Sequence, residues 1–511
     1  MPSALLSELV MRLPKAAVHG GSNPVVTGLT HDSRAVQPGD LYVCKRGAHF
    51  DGHRFAAQAL TSGAAAVVVN RGGLAEAGVV LPAEACVVEV ADTARALPML
   101  ACAFYGDPSR SLLTIGVTGT NGKTTTTRMT AAILRAAGQR AGTIGTLGSE
   151  LDGVPIPSGH TTPEADELQM LLAHMRDGGA DAVVMEVSSH ALAQGRTDGI
   201  AFSAGIFTNL TQDHLDFHGT MDAYFEAKAR LFSEYPVLYP RPDKSPFVGV
   251  INVAEWEGKD LVTLARGDII TFTTADNPAN LHAEEIELAP DASRFVAVYD
   301  NGMKITRLPI ILPVGGAFQI GNALAAIAAT LRLGFPLETI AKGLAEMPPV
   351  PGRFEAVPTG GRGFSVIVDY AHTPDGLENL LRSARELKPT RLLVVFGCGG
   401  DRDRTKRPIM GRLAATLAET AIVTSDNPRT EDPNAIVAAI LTGMDRSGDP
   451  TLTAEIHVEP DRRKAIALAI AQARPGDIVL IAGKGHEDYQ IIGTTKHHFD
   501  DREAAREAME A

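Results

Sequence analysis

Gly119-Thr120-Asn121-Gly122-Lys123-Thr124-Thr125 is the segment of this chain whose residue types and spacing best suit a chain of phosphates. An apolar run, residues 112–118, leads into it, and a helical pattern, residues 122–137, leads out. A loop in that position points backbone N–H groups at an anion, and the helix dipole favours negative charge there. Such a loop uses its lysine, here Lys123, on the β- and γ-phosphates and the next hydroxyl, Thr124, on Mg²⁺. The strict phosphate-loop spacing would set its first glycine at Val117, so the strand–loop–helix context carries the reading. The alternative is a glycine-rich turn that binds nothing.

Further polar clusters follow other apolar runs. Glu186-Val187-Ser188-Ser189-His190 ends the run 182–187. Ligands of open α/β sheets gather beyond the carboxyl ends of strands, so Glu186 can share the Mg²⁺ zone of Thr124. Read alone, it is a strand-end carboxylate in solvent. Thr208-Asn209-Leu210-Thr211-Gln212-Asp213-His214-Leu215-Asp216 follows the run 204–207, and its Asp/His group could hold a metal, although a lone histidine is commonly structural. Lys228 lies on a helical stretch and by itself reads as a surface lysine. Later come Asp369-Tyr370-Ala371-His372, Gly397-Cys398-Gly399-Gly400-Asp401-Arg402, Asp426-Asn427-Pro428-Arg429 and Gly483-Lys484-Gly485-His486-Glu487. Four polar clusters at the strand ends of one sheet imply a site.

The elements that must position these residues alternate between strands and helices, the pattern of parallel sheets covered by helices. Residues 1–110 read as a small α/β unit, with a helix at 54–62, strands at 64–69 and 86–90, and a helix at 92–104. Gly106-Asp107-Pro108-Ser109 marks its end. Residues 111–346 form a central unit, within which 255–310 reads as irregular strands and turns. Pro348-Pro349-Val350-Pro351-Gly352 marks a hinge into a third unit, 347–511, with strands at 365–368, 392–396, 421–424 and 478–481. The Ala/Glu-rich tail reads as an exposed helix.

At 511 residues the chain should hold two to four domains. A net charge of -13 argues against non-specific nucleic-acid binding, which needs a basic footprint. The four cysteines have no CxxC spacing, which argues against a zinc site and fits separate thiols in a reducing compartment. No signal peptide is expected in residues 1–12, and apolar runs such as 64–69 are too short to span a bilayer. A cytoplasmic protein without a membrane span is expected.

Together, the motifs from Asp32-Ser33-Arg34 to Gly483-Lys484-Gly485-His486-Glu487 resemble the Mur ligases of peptidoglycan synthesis, most closely those that add the third peptide residue. The GTNGKTT loop is common to these ligases and folylpolyglutamate synthases; the DNPR and GKGHE elements are more specific. The resemblance implies an α/β fold of three domains: an N-terminal UDP-binding domain, a central P-loop parallel-sheet ATPase domain and a C-terminal Rossmann-like domain. It implies ATP as co-substrate, Mg²⁺, a monomer, and as substrates a UDP-linked muramoyl dipeptide and meso-diaminopimelate. On the matching positions, Gly119, Thr120, Asn121, Gly122, Lys123, Thr124, Thr125, Asn322 and Asp369 would contact the nucleotide. His31 and Ser33 would meet the uridine end, and Thr161, Thr162, Ser188, Gln194 and Arg196 the rest of the UDP-substrate. Thr124, Glu186, His214 and Lys228, the last as a carbamate, would hold metal, with Lys123, Glu186, His214 and Lys228 serving catalysis. Arg402, Asp426, Asn427, Pro428, Arg429, Gly483 and Glu487 would contact the diamino acid. Asn252-Val253-Ala254-Glu255 departs from the family's Asn-x-Asp-Asp, which weakens any role inferred for that loop.

The implied reaction turns the D-glutamate γ-carboxylate into an acyl phosphate, shielded from water by domain closure, for attack by an amine. Arg429 suits the far carboxylate of diaminopimelate, which lysine lacks; its alternatives are a cap on a helix turn or a pair with Glu431. The rival functions are a lysine-adding ligase of the same family, a folylpolyglutamate synthase, and a P-loop regulatory or transport ATPase.

Overall fold

The computed structural model describes residues 2–47, 50–445, 447 and 449–510. The chain divides into two compact units, one running to Thr271 and including Ala328–Phe335, the other comprising Phe272–Ile327 and the chain from Pro336 on.

Besides the short pair of Ala4–Leu5 with Val25–Val26, the first unit contains two larger sheets. In one, Gly28–Thr30, Asp40–Val43, Ala66–Asn70 and Val87–Val90 are parallel neighbours, with Ala17–His19 antiparallel at the edge. Asp40–Val43 is buried throughout, because apolar side chains pack on both of its faces: Leu41 and Val43 on one, Tyr42 on the other. The helix Thr93–Phe104 begins where Asp92 accepts the N–H groups of Ala94 and Arg95, and it lays Leu97, Leu100, Ala101 and Phe104 on the sheet. The helix expected at 54–62 forms as Ala56–Thr61 after a 3₁₀ turn.

The second sheet of this unit has the parallel order Ala141–Gly145, Ala182–Glu186, Leu113–Thr118, Ala204–Phe207, Val248–Asn252. Leu113–Thr118 comes first in sequence and lies in the middle, so later strands are added on both of its sides and their carboxyl ends converge on its loop. Residues 255–310, read from sequence as irregular, are more regular than that. They form the helix Trp256–Leu264 and, in the second unit, most of an antiparallel meander of Leu281–Leu288, Ser293–Asp300 and Ile305–Leu312. A register shift between Glu284 and Glu287, with Glu285 at φ 52°, breaks the two-residue alternation that would have announced the first strand.

The second unit's six-stranded sheet places Ser365–Asp369, Ile478–Ala482, Leu392–Phe396 and Thr420–Val423 side by side and parallel, as the four clusters required. The tail is a helix, Asp501–Glu510, but not a free one. Ala504 and Ala505 are buried in the core, and Asp501 meets the fully buried Arg462 at 2.7 Å. The expectation of an exposed helix fails because a short Ala-rich stripe is enough to dock three turns. All four cysteines are buried and free. Among the described residues no helix is long and apolar enough to cross a membrane.

Candidate active site

The phosphate-loop segment is built as its residue types suggest. Gly119 has φ +145° and Gly122 φ +84°, and the helix Lys123–Ala136 starts immediately after. A Cβ on Gly119 would lie 1.9 Å from Thr208 Oγ1, so only glycine lets the loop pass its neighbouring strand end. That neighbour holds the loop open: Asn209 accepts the Thr120 N–H through its carbonyl and the Asn121 N–H through Oδ1, and Thr208 Oγ1 donates to the Asn121 carbonyl at 2.6 Å. Lys123 Nζ donates to the carbonyls of Gly119 at 3.0 Å and Thr120 at 2.8 Å.

Lys228 is no surface lysine. It lies on the helix Met221–Ser233 and is 1% exposed. Its Nζ donates to the Gly119 carbonyl at 2.8 Å and sits 4.4 Å from the Tyr224 ring centroid. Burial, reinforced by the Lys123 charge, holds its pKa far below that of an ordinary lysine. Nor is Glu186 a carboxylate in solvent. It is 1% exposed, and it accepts the Thr146 N–H at 2.8 Å and the Thr146 hydroxyl at 3.2 Å.

His214 adopts φ 54°, and its ring lies 4.7 Å from that of His190. Burial lowers its pKa against the pull of Asp213, which favours the neutral imidazole. The Asp/His group itself makes no cage: Asp213 pairs with His214 at 3.4 Å, and among the described residues no three His, Cys, Asp or Glu side chains are grouped to hold an ion. A divalent cation that binds phosphates needs oxygen donors beside them. The Thr124 hydroxyl and the Glu186 carboxylate are donors of that kind.

A second group of expected residues is joined into one network. The Thr162 hydroxyl donates to the Glu186 carbonyl and accepts the Ser188 N–H, while Thr161 Oγ1 lies 3.1 Å from Thr146 Oγ1. Arg196 donates to the Thr162 carbonyl at 3.0 Å and to Gln194 Oε1 at 2.9 Å. The sequence reading missed three members. Glu164 pairs with Arg196 at 3.0 Å and with Lys45, and Asp166 meets His31 Nδ1 at 2.8 Å while also accepting the His31 N–H. Glu164 and Asp166 stand at the start of the helix Ala165–Asp177, two places apart, in what reads as an ordinary acidic first turn. A cleft of about 320 Å³, lined by Pro157, Ser158, Pro163 and Met170 among others, flanks this loop. Ser33 reaches Tyr42, and Asp32 is held at a pKa of about 2 by Arg34.

In the second unit, Asn322 donates to Gln319 Oε1 at 2.8 Å. Both oxygens of the buried Asp369 are engaged, accepting the N–H groups of Phe354 and Ala371. Asn427 and Glu487 meet at 2.9 Å, and Asp426 Oδ2 is buried with no partner. Arg429 takes φ 52° and spends one N–H on the Gly400 carbonyl at 2.8 Å. It does not pair with Glu431, which binds Arg407 and Arg404 instead. Arg402 is exposed and donates to the Asp401 carbonyl. Gly483, at φ +121°, stands where a Cβ would meet Asp426 Oδ2 at 2.6 Å.

The matches to known proteins follow this geometry. Residues 25–105 match the model described as Mur ligase family, catalytic domain; residues 117–330 match the Mur ligase middle domain; residues 352–485 match the Mur ligase glutamate ligase domain. A protein of Geobacillus thermodenitrificans named UDP-N-acetylmuramoyl-L-alanyl-D-glutamate–2,6-diaminopimelate ligase is 45% identical over 504 residues, 99% of each chain. One of the same name from Gloeobacter violaceus is 48% identical, over 95% of this chain and 94% of its own. A solved structure of a ligase with that name superposes with TM-score 0.66 at 34% identity, covering 95% of both chains. End-to-end similarity of this extent means that the chain belongs to the Mur ligase family.

Proposed function

We propose that the protein is an ATP-dependent ligase that adds meso-2,6-diaminopimelate to UDP-N-acetylmuramoyl-L-alanyl-D-glutamate in peptidoglycan synthesis. Support comes from the relatives of that name and from Arg429, whose guanidinium stays clear of Glu431 and keeps donors for a carboxylate. The domains read as 1–110, 111–346 and 347–511, and the expected cellular site is the cytoplasm. The N-terminal domain with the Thr161–Arg196 network takes the UDP-substrate, the loop at Gly119–Thr125 takes ATP, and the Asp426–Arg429 segment with Glu487 takes the diamino acid.

In this reading the D-glutamate γ-carboxylate attacks the γ-phosphorus in line, ADP leaves, and the acyl phosphate forms. A neutral amine then attacks the acyl carbon, phosphate leaves from the tetrahedral intermediate, and the nitrogen gives up one proton, which the departing phosphate can carry. Lys123 supplies fixed positive charge where negative charge develops. Mg²⁺, held by Thr124, Glu186, His214 and a carbamylated Lys228, would neutralise phosphate charge. The buried Lys228 suits that modification, since the unprotonated amine is the form that adds carbon dioxide, releasing a proton.

Phosphate release from ATP and the UDP-dipeptide, measured across a panel of amino acids, tests the assignment. Release should require both the UDP-dipeptide and meso-diaminopimelate, with L-lysine poorer by about 10² or more, the scale for leaving the guanidinium unpaired once a ligand covers it. Equal use of L-lysine would install the lysine-adding alternative. Release without the UDP-dipeptide would point to a regulatory ATPase.

A further inference from the structure

Lys484 is fully buried between two glycines of positive φ, Gly483 at +121° and Gly485 at +54°. A Cβ on Gly485 would lie 2.7 Å from the Tyr370 Cβ, so the backbone here runs close beneath another strand end, and the lysine between the glycines is enclosed. Its Nζ donates to Asn427 Oδ1 at 3.1 Å and to Glu487 Oε2 at 3.4 Å, and lies 5.5 Å from the Tyr489 ring centroid.

Asn427 closes the triangle. Its Nδ2 donates to Glu487 Oε2 at 2.9 Å, and its Oδ1 also accepts the Ile491 N–H at 2.9 Å. An amide with two donors on its oxygen and a carboxylate on its nitrogen has one orientation. Buried charges must be paired, and the carboxylate that pairs with Lys484 is Glu487. Lys484 therefore anchors both of these side chains at once, from a place that no solvent reaches.

We propose that Lys484 is a positioning residue for the incoming diamino acid, locking Asn427 and Glu487 into one rigid network in which the Glu487 carboxylate is the acceptor for a substrate ammonium group. This rests on the reading that Asn427 and Glu487 contact diaminopimelate. Without the ammonium, the Glu487 carboxylate and the Asn427 amide lose a shared anchor and spread over several rotamers, and binding must then order them. Lys484 acts only through these two, so its effect falls on the amino acid and not on the nucleotide.

Lys484→Met keeps the length and the apolar stem and removes the charge. KM for meso-diaminopimelate should rise by about 10-fold or more, the scale of a hydrogen bond to a charged group, with KM for ATP unchanged and kcat within about threefold. Glu487→Gln should also raise KM for the diamino acid, and the double variant should raise it by less than the product of the two single effects, because the lysine works in part through the glutamate. Lys484→Gln serves as the second variant if the methionine protein does not fold, with the same expected rise. Unchanged KM in a folded Lys484 variant, or additive effects in the double variant, would overturn the proposal while leaving the substrate reading in place. Unchanged KM in Glu487→Gln would remove the substrate reading itself, and the proposal with it.

Discussion

At the scale of single residues, burial converts unremarkable side chains into chemical ones. Lys228 looks like any helix-surface lysine, yet the fold closes over it and pushes its pKa far down. If it is carbamylated, Lys228→Ala should be nearly inactive, and a small carboxylate such as formate should restore part of the activity by filling the vacated space with an anionic oxygen. Full activity of the alanine variant would end that role. Arg429 makes the converse case. Its left-handed backbone and its bond to the Gly400 carbonyl aim the guanidinium before any ligand arrives. Arg429→Lys keeps the charge but loses the planar fork that pairs two N–H groups with a carboxylate. It should lower kcat/KM for meso-diaminopimelate by about 10² or more while nucleotide binding stays near normal, since a desolvated pair is worth about 3–5 kcal/mol when broken. Equal losses for both ligands, read by titration calorimetry, would return Arg429 to a purely structural role.

At the scale of elements, the start of the helix Ala165–Asp177 does more than begin a helix. Glu164 ties Arg196 to Lys45, and Asp166 ties down His31, so residues far apart in sequence share one anchor. Glu164→Gln keeps the shape and removes the charge that holds Arg196. KM for the UDP-substrate should increase roughly 10-fold, the cost of a charge-assisted bond, with little change in KM for ATP; an unchanged KM for the UDP-substrate would show that Arg196 is placed by Gln194 and Thr162 alone. The elements themselves were legible from sequence where periodicity was clean. Leu113–Thr118, Ala182–Glu186, Ala204–Phe207 and the helix Lys123–Ala136 fall where apolar runs and turn residues put them. The strand Leu281–Leu288 was not legible, because its bulge shifts the register and mixes exposed and covered positions along one stretch.

At the scale of the whole molecule, a half-buried histidine couples folding to pH. His486 packs 5.0 Å from the Tyr370 ring, and its Nδ1 is buried with no partner. Burial, then the charges of Arg353 and Arg502, pushes its pKa from 6.5 to about 4. Between those values the unfolded chain binds a proton that the folded chain refuses, so stability should fall as pH drops from 6.5 towards 4. Thermal unfolding should show a midpoint lower at pH 5 than at pH 7, and His486→Phe should shrink that difference by roughly a few degrees; an identical pH dependence in the variant would assign the effect elsewhere. By itself the sequence determined the strands and helices around residues 112–137, 182–187 and 204–207, the strand–loop–helix context of Gly119–Thr125, the polar clusters at strand ends and the family, because turn chemistry and hydrophobic periodicity are local and survive without the fold. Only the tertiary structure decided that Glu186 turns onto Thr146, that Lys228 is enclosed, that Glu431 goes to Arg407 rather than Arg429, and that Lys484 joins Asn427 to Glu487. Those outcomes depend on which strand lies beside which, and so on which charges are removed from water together, a quantity that spacing along the chain does not contain.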